Sequence, residues 1–124
     1  VSIFVSRALK NLDLIIHGDG QQKRNYIYAE DLGYGSLAAL EEKSTNKTIT
    51  LAAKENTKII DLAKMIIKIT KSKSKIVFNK EKKRLDDFTS VLSYKNSYEK
   101  NLMIWRPKYS LEKGLKKYIE LKKI

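Results

Sequence analysis

Four arginines, Arg7, Arg24, Arg84 and Arg106, stand among 26 basic residues, so the other 22 are lysines. In a chain that uses lysine so freely, arginine marks places where a planar fork of donors matters. That fork matches phosphate or carboxylate in a way a single ammonium does not. Arg24 comes shortly after Gly18-Asp19-Gly20, and Arg84 lies beside Asp86 and Asp87. Two such forks can hold a pyrophosphate between them. Each can also close a plain ion pair with a nearby acid, and residue types alone leave both readings open.

Other chemistry is sparse. His17 is the sole histidine, placed at a strand end beside the glycine turn, and a structural role fits it better than that of base or ligand. There is no histidine pair and no acidic set with metal-ligand spacing, so no metal site is expected. Asp86 and Asp87 are adjacent, and neighbours on an extended chain point to opposite faces rather than at one substrate atom. Cysteine is absent, which removes disulfides, thiolate sites and cysteine nucleophiles and agrees with a reducing cytoplasm. Gly18-x-Gly20 reads as a hairpin-like reversal, not as a phosphate loop opening a helix. No catalytic residue is assigned.

The elements that must position the arginines follow from periodicity. Residues 1–10 have helical apolar spacing through Ile3, Phe4, Ala8 and Leu9, and Leu14-Ile15-Ile16 reads as a strand. Tyr26-Ile27-Tyr28 reads as a second strand. Asp31 stands where it can cap a helix that carries Gly33 and Gly35, whose small size suits close packing. Thr48-Ile49-Thr50-Leu51 reads as a third strand. Thr57 can cap a helix with Ile59, Leu62, Ala63, Ile66 and Ile67 on one face. Lys75 to Asn79 is a strand candidate, and Tyr94, Tyr98 and Leu102 are spaced for another helix. Ser110 can cap a last helix with Glu112 in its first turn and Leu111, Leu115, Tyr118 and Ile119 along its buried stripe. The expected fold class is α/β, a mixed small domain of alternating helices and short strands, with residues 1–124 forming a single domain.

The net charge is +12, which raises nucleic acid as a partner. A bias toward lysine and isoleucine often reflects coding composition, and the lysines are spread over several segments. A solvated basic surface is therefore the better reading, and a basic nucleic-acid-binding module the alternative. No apolar run approaches the ~20 residues of a membrane helix. The N-terminus does not read as a signal peptide. The chain begins at Val1, which suits a piece of a longer protein.

Four stretches, in order, resemble the C-terminal region of extended short-chain dehydrogenases/reductases, the NAD-dependent nucleotide-sugar epimerases and dehydratases. GDGQQKRNYIY at 18–28 looks like that family's GDGxQxRDFxY block, followed by a D-V-A-like Asp31-Leu32-Gly33. TITLAAKENTKIIDLAKMI at 48–66 resembles the strand and helix written YNIGSG…ELA. RLDD at 84–87 is similar to an R-x-G-D turn, and MIWRPKYSLEKGL at 103–115 resembles LGWxPxxxLEEGL. Asn25, Thr50 and Ile104 differ from the family's Asp, Asn and Gly, and Ala52, Ala53 and Lys54 replace small and glycine positions.

The resemblance implies the C-terminal portion of a Rossmann-type epimerase fold without its dinucleotide domain. It implies that Arg24 and Arg84 hold the diphosphate of a nucleotide-diphosphate sugar, that Asp87 reaches the ribose hydroxyls, and that Gln22 of the turn contacts the ligand. Trp105 and Pro107 match positions read as structural. The parent would be a cytoplasmic enzyme using NAD or NADP, homodimeric through helices upstream of this stretch. The family's GxxGxxG and its Tyr-x-x-x-Lys pair are not in this sequence. Tyr109 and Lys113 fit the latter by count but lie in the wrong block. The fragment alone is thus expected to bind no cofactor and to turn nothing over. A degenerate, non-catalytic family member is a further alternative.

Overall fold

The computed structural model describes residues 1–40, 45–80 and 104–123. The elements run α1 (Ser2–Leu9), β1 (Leu14–His17), β2 (Lys23–Asn25), α2 (Ala29–Ala38), β3 (Asn56–Lys58), α3 (Ile59–Thr70), β4 (Ile76–Asn79) and α4 (Leu111–Lys122). They group into two compact units. The helix expected from Tyr94, Tyr98 and Leu102 lies outside the described residues.

In the first unit (Val1–Arg24, Thr57–Val91 and Leu115–Ile124) β1 and β4 pair in parallel, with Leu14 opposite Ile76 and His17 opposite Asn79. Side chains alternate along β1: Leu14 and Ile16 are buried, whereas Ile15 is exposed. β1 packs on α1 and α3, and the buried apolar residues of this unit are Val5 and Ala8 of α1, Leu14 and Ile16 of β1, Leu62, Ala63 and Ile66 of α3, and Leu115 and Ile119 of α4. Ile3, one of the apolar residues that suggested α1, is instead 71% exposed.

The register of the parallel pair is fixed by two helix ends. Both α1 and α3 terminate in a left-handed residue, Asn11 (φ 54°) and Lys71 (φ 54°). Each end shows the paired Schellman bonds: Leu12 N–H to the Arg7 carbonyl with Asn11 N–H to Ala8, and Ser72 N–H to Ile67 with Lys71 N–H to Lys68. Asn11 Oδ1 then accepts from the Lys73 N–H at 2.9 Å, and Asp13 Oδ1 from the Lys75 N–H at 3.0 Å. Joining these turns sets Leu14 N–H on the Lys75 carbonyl, the first rung of the ladder.

β2 and β3 form a second two-stranded sheet. Two strand expectations shift here. The second strand is Lys23–Asn25 rather than Tyr26–Tyr28, and the third is Asn56–Lys58 rather than Thr48–Leu51. β-branched and aromatic composition favours an extended chain, but a strand exists only where a neighbour supplies ladder partners. Thr57 accordingly sits in β3, and α3 begins after Lys58 with no side-chain cap. The donors of Ile59 and Ile60 go instead to the carbonyls of Gln22 and Gly20.

In the second unit (Asn25–Asn56 and Leu92–Gly114) α2 is built around two close approaches. Asp31 lies inside the first turn instead of capping it, because its carboxylate has another task. It is 1% exposed and accepts two backbone N–H bonds, from Lys108 to Oδ1 and from Tyr109 to Oδ2, both at 2.9 Å. Gly35 packs where a Cβ would stand 3.0 Å from both Leu51 and Trp105, whereas a Cβ on Gly33 would meet nothing within 4 Å. The close-packing expectation thus holds for Gly35 alone. The Tyr28 and Tyr109 rings meet in a tilted contact, 4.7 Å between centroids and 48° between planes, and Tyr109 Oη–H donates to Glu30. Ser110 caps α4 as the spacing predicts, its Oγ accepting from the Lys113 N–H at 3.3 Å.

Candidate functional site

The reversal between β1 and β2 sits at the carboxyl ends of the parallel strands, the edge where open α/β sheets generally bind ligands. Gly18 (φ 81°) and Gly20 (φ 74°) both occupy the left-handed region. At Gly20 a Cβ would also come within 3.1 Å of Ile60 Cβ, so this position needs glycine twice over. Gly18 N–H continues the β1–β4 ladder onto the Asn79 carbonyl. Asp19 Oδ1 accepts from the Gln21 N–H at 2.9 Å, a side-chain turn that tightens the loop. The chain that leaves this brace is β2, which carries Arg24.

Arg24 is half-buried, and its Nη1 donates to the Lys23 carbonyl at 3.0 Å. Gln22 is braced rather than extended: its Nε2 donates to the His17 carbonyl at 3.1 Å, and its backbone carbonyl accepts from Ile59. One Nε2 hydrogen is thereby used, and the second Nε2 hydrogen and Oε1 are what a ligand could meet. His17 has a buried Nδ1 with no hydrogen-bond partner. The tautomer carrying its proton on Nε2 avoids burying an unpaired donor there. Arg84 and Asp87, the other two candidate ligand residues, lie outside the described residues. Among the described residues, the candidate site is a hydrogen-bonded glycine reversal in which Gln22 is tied to the His17 carbonyl and Arg24 follows on β2.

Asn25, next to Arg24, stands where the family pattern has aspartate. Its carboxamide spans one residue of the opposite segment: Nδ2 donates to the Ala53 carbonyl at 3.0 Å, and Oδ1 accepts from the Ala53 N–H at 2.7 Å. Nδ2 also reaches Asn56 Oδ1 at 3.1 Å. The signal available in sequence was the amide itself, which offers a donor and an acceptor where aspartate offers acceptors only.

No group of three or more histidine, cysteine or acidic side chains able to hold a metal occurs among the described residues. No described helix is long and apolar enough to cross a membrane. The Gly18–Gly20 turn differs from the glycine loop that opens a helix in a dinucleotide site. The glycine turn opens a strand, and the first donors of α3 are taken by the loop's own carbonyls.

A mixed α/β arrangement of this kind occurs in Rossmann-type epimerases. The fold matches UDP-glucose 4-epimerase of Thermotoga maritima, solved with UDP-glucose, at a TM-score of 0.85 and 31% identity over 98% of this chain and 38% of that one. It also matches UDP-glucuronic acid 4-epimerase of Bacillus cereus, solved with UDP-glucuronic acid and NAD, at a TM-score of 0.73 and 28% identity over 96% of this chain and 38% of that one. Residues 1–52 match the NAD dependent epimerase/dehydratase family. A UDP-N-acetyl-alpha-D-glucosaminuronate decarboxylase of Bacillus cytotoxicus is 32% identical over 120 residues, 94% of this chain and 37% of that protein. Over nearly its whole length the chain is similar to nucleotide-sugar enzymes of the NAD-dependent epimerase/dehydratase kind, and it spans little more than a third of the length of these relatives.

Proposed function

We propose that this chain is the substrate-holding portion of an NAD- or NADP-dependent nucleotide-sugar epimerase or dehydratase. Arg24 and Arg84 clamp the nucleotide diphosphate, Asp87 receives the ribose hydroxyls, and Gln22 of the turn contacts the ligand. The observation that carries the reading is Arg24 itself. Arg24 is half-buried on the strand that leaves a reversal braced by two left-handed glycines, at the carboxyl edge of a parallel strand pair. Its guanidinium fork fits the oxygens of a diphosphate. Fixing the diphosphate orients the attached sugar for chemistry carried out elsewhere in the complete enzyme, with the cofactor bound by other parts of that protein. Hydride transfer and proton transfer are assigned to no residue of this chain.

The test is Arg24→Ala in the complete enzyme, titrated with a nucleotide-diphosphate sugar by calorimetry. Loss of a charge-assisted contact of about 1.5–3 kcal/mol should weaken binding by about ten- to a hundredfold. Unchanged affinity would remove Arg24 from the clamp.

A further inference from the structure

The positive charge of the chain is concentrated in its first unit. Among the described residues of that unit the carboxylates are Asp13, Asp19, Asp61 and Glu120, far outnumbered by lysine and arginine. Part of this surplus borders a groove of about 530 Å³ that runs along α1 and meets the last turns of α4. Ile3, Leu9 and Tyr118 give it apolar walls, Ser2 and Ser6 lie among them, and Arg7, Lys10 and Lys122 give it charge; among the described residues no acid lines it.

The nearest acids in sequence are otherwise engaged or face elsewhere. Asp13 takes the Lys75 N–H, and the backbone carbonyl of Asp13, which carries no net charge, takes Arg7 Nε. Glu120 lies two residues from both Tyr118 and Lys122, on the opposite side of α4 at about 100° per residue. Lys122 Nζ stands 5.8 Å from the centre of the Tyr118 ring, an ammonium held over the apolar wall.

We propose that this groove receives an acidic amphipathic helix of a partner protein. The apolar strip asks for an apolar helix face, and the three cations ask for carboxylates along its flanks. α1 presents 8 residues, about 12 Å, so roughly two turns of a docked helix meet the groove. Ile3 is 71% exposed and Lys10 and Lys122 are exposed, so the walls do not enclose a small molecule. Apolar walls formed by Ile3, Leu9 and Tyr118 suit a helix face better than the sugar-phosphate backbone of a nucleic acid.

The full-length protein is titrated, by fluorescence anisotropy, with a labelled helical peptide of leucine, alanine and glutamate. Its leucines lie on one face with glutamates on both flanks. Saturable binding is expected, with about tenfold loss in Lys10→Glu/Lys122→Glu and a separate loss in Ile3→Ser. A peptide of the same composition with its leucines dispersed should bind at least about tenfold more weakly. Arg24→Ala, outside the groove, should leave peptide binding unchanged, which separates this result from the nucleotide-sugar clamp. If the charge-reversed variant fails to fold by circular dichroism, Lys10→Gln/Lys122→Gln carries the same test. Absence of saturable binding, or equal binding of the two peptides, overturns the proposal. So does tighter binding of single-stranded DNA or phosphatidylglycerol vesicles that is lost in the same variants.

Discussion

The side chain of Asn25 pairs with the backbone of Ala53 as a neighbouring strand would, giving a donor to its carbonyl and an acceptor to its amide, at 3.0 and 2.7 Å. The family's aspartate at this position could satisfy only the amide. Its second oxygen would face the Ala53 carbonyl across the distance now closed by a hydrogen bond. Asn25→Asp should therefore lower stability by about 1–3 kcal/mol, the range for a part-buried acceptor left unpaired. Urea unfolding of the complete protein measures it. An aspartate variant as stable as the parent would show that the donor half of the pair contributes nothing.

Asp31 holds the segment before α4 through the N–H groups of Lys108 and Tyr109. Asp31→Ala removes a buried acceptor from both donors at once, whereas Asp31→Asn keeps one oxygen. The alanine variant should be the less stable of the two, by about 1–2 kcal/mol. Tyr109 should also lose its place against Tyr28, so near-ultraviolet circular dichroism offers a local readout beside the melting curve.

Gly33 and Gly35 lie two residues apart, on opposite sides of α2, and should respond with opposite sign. A methyl at Gly33 meets open space, so alanine there should stabilise α2 by up to about 1 kcal/mol. A methyl at Gly35 must displace Leu51 and the Trp105 ring, and overpacking of this kind costs about 1–3 kcal/mol. Thermal melts of the two variants check the pair. Equal shifts would mean that Leu51 and Trp105 yield freely.

Gly20→Ala tests the brace under Arg24. It forces a side chain into φ 74° and against Ile60, at a cost of about 1–2 kcal/mol for the backbone alone. If the reversal orients Arg24 toward substrate, nucleotide-sugar affinity should fall together with stability. Arg24→Ala should lower affinity with little change in melting temperature. A Gly20 variant that melts early yet binds normally would separate the turn from the clamp.

Much of this protein is written in local sequence. The periodic apolar residues of α3 and α4, the Ser110 cap and the left-handed glycines of the reversal each depend on neighbours a few residues away. The alternation of helices and strands, and the ordered blocks that resemble the family, follow from the same short-range patterns. Tertiary structure decided what depends on distant partners. Tyr26–Tyr28 and Thr48–Leu51 have the composition of strands, but the ladder formed at Lys23–Asn25 and Asn56–Lys58, where a neighbour offered its backbone. Thr57 looked like a cap, but the donors it would have met were taken by Gly20 and Gln22. Asp31 looked like a cap for its own helix and instead serves amides 77 and 78 residues further on. A dihedral preference or a hydrophobic period belongs to the segment that carries it. The partner of a buried polar group is set by whichever segment the fold brings within 3 Å, which local spacing does not encode.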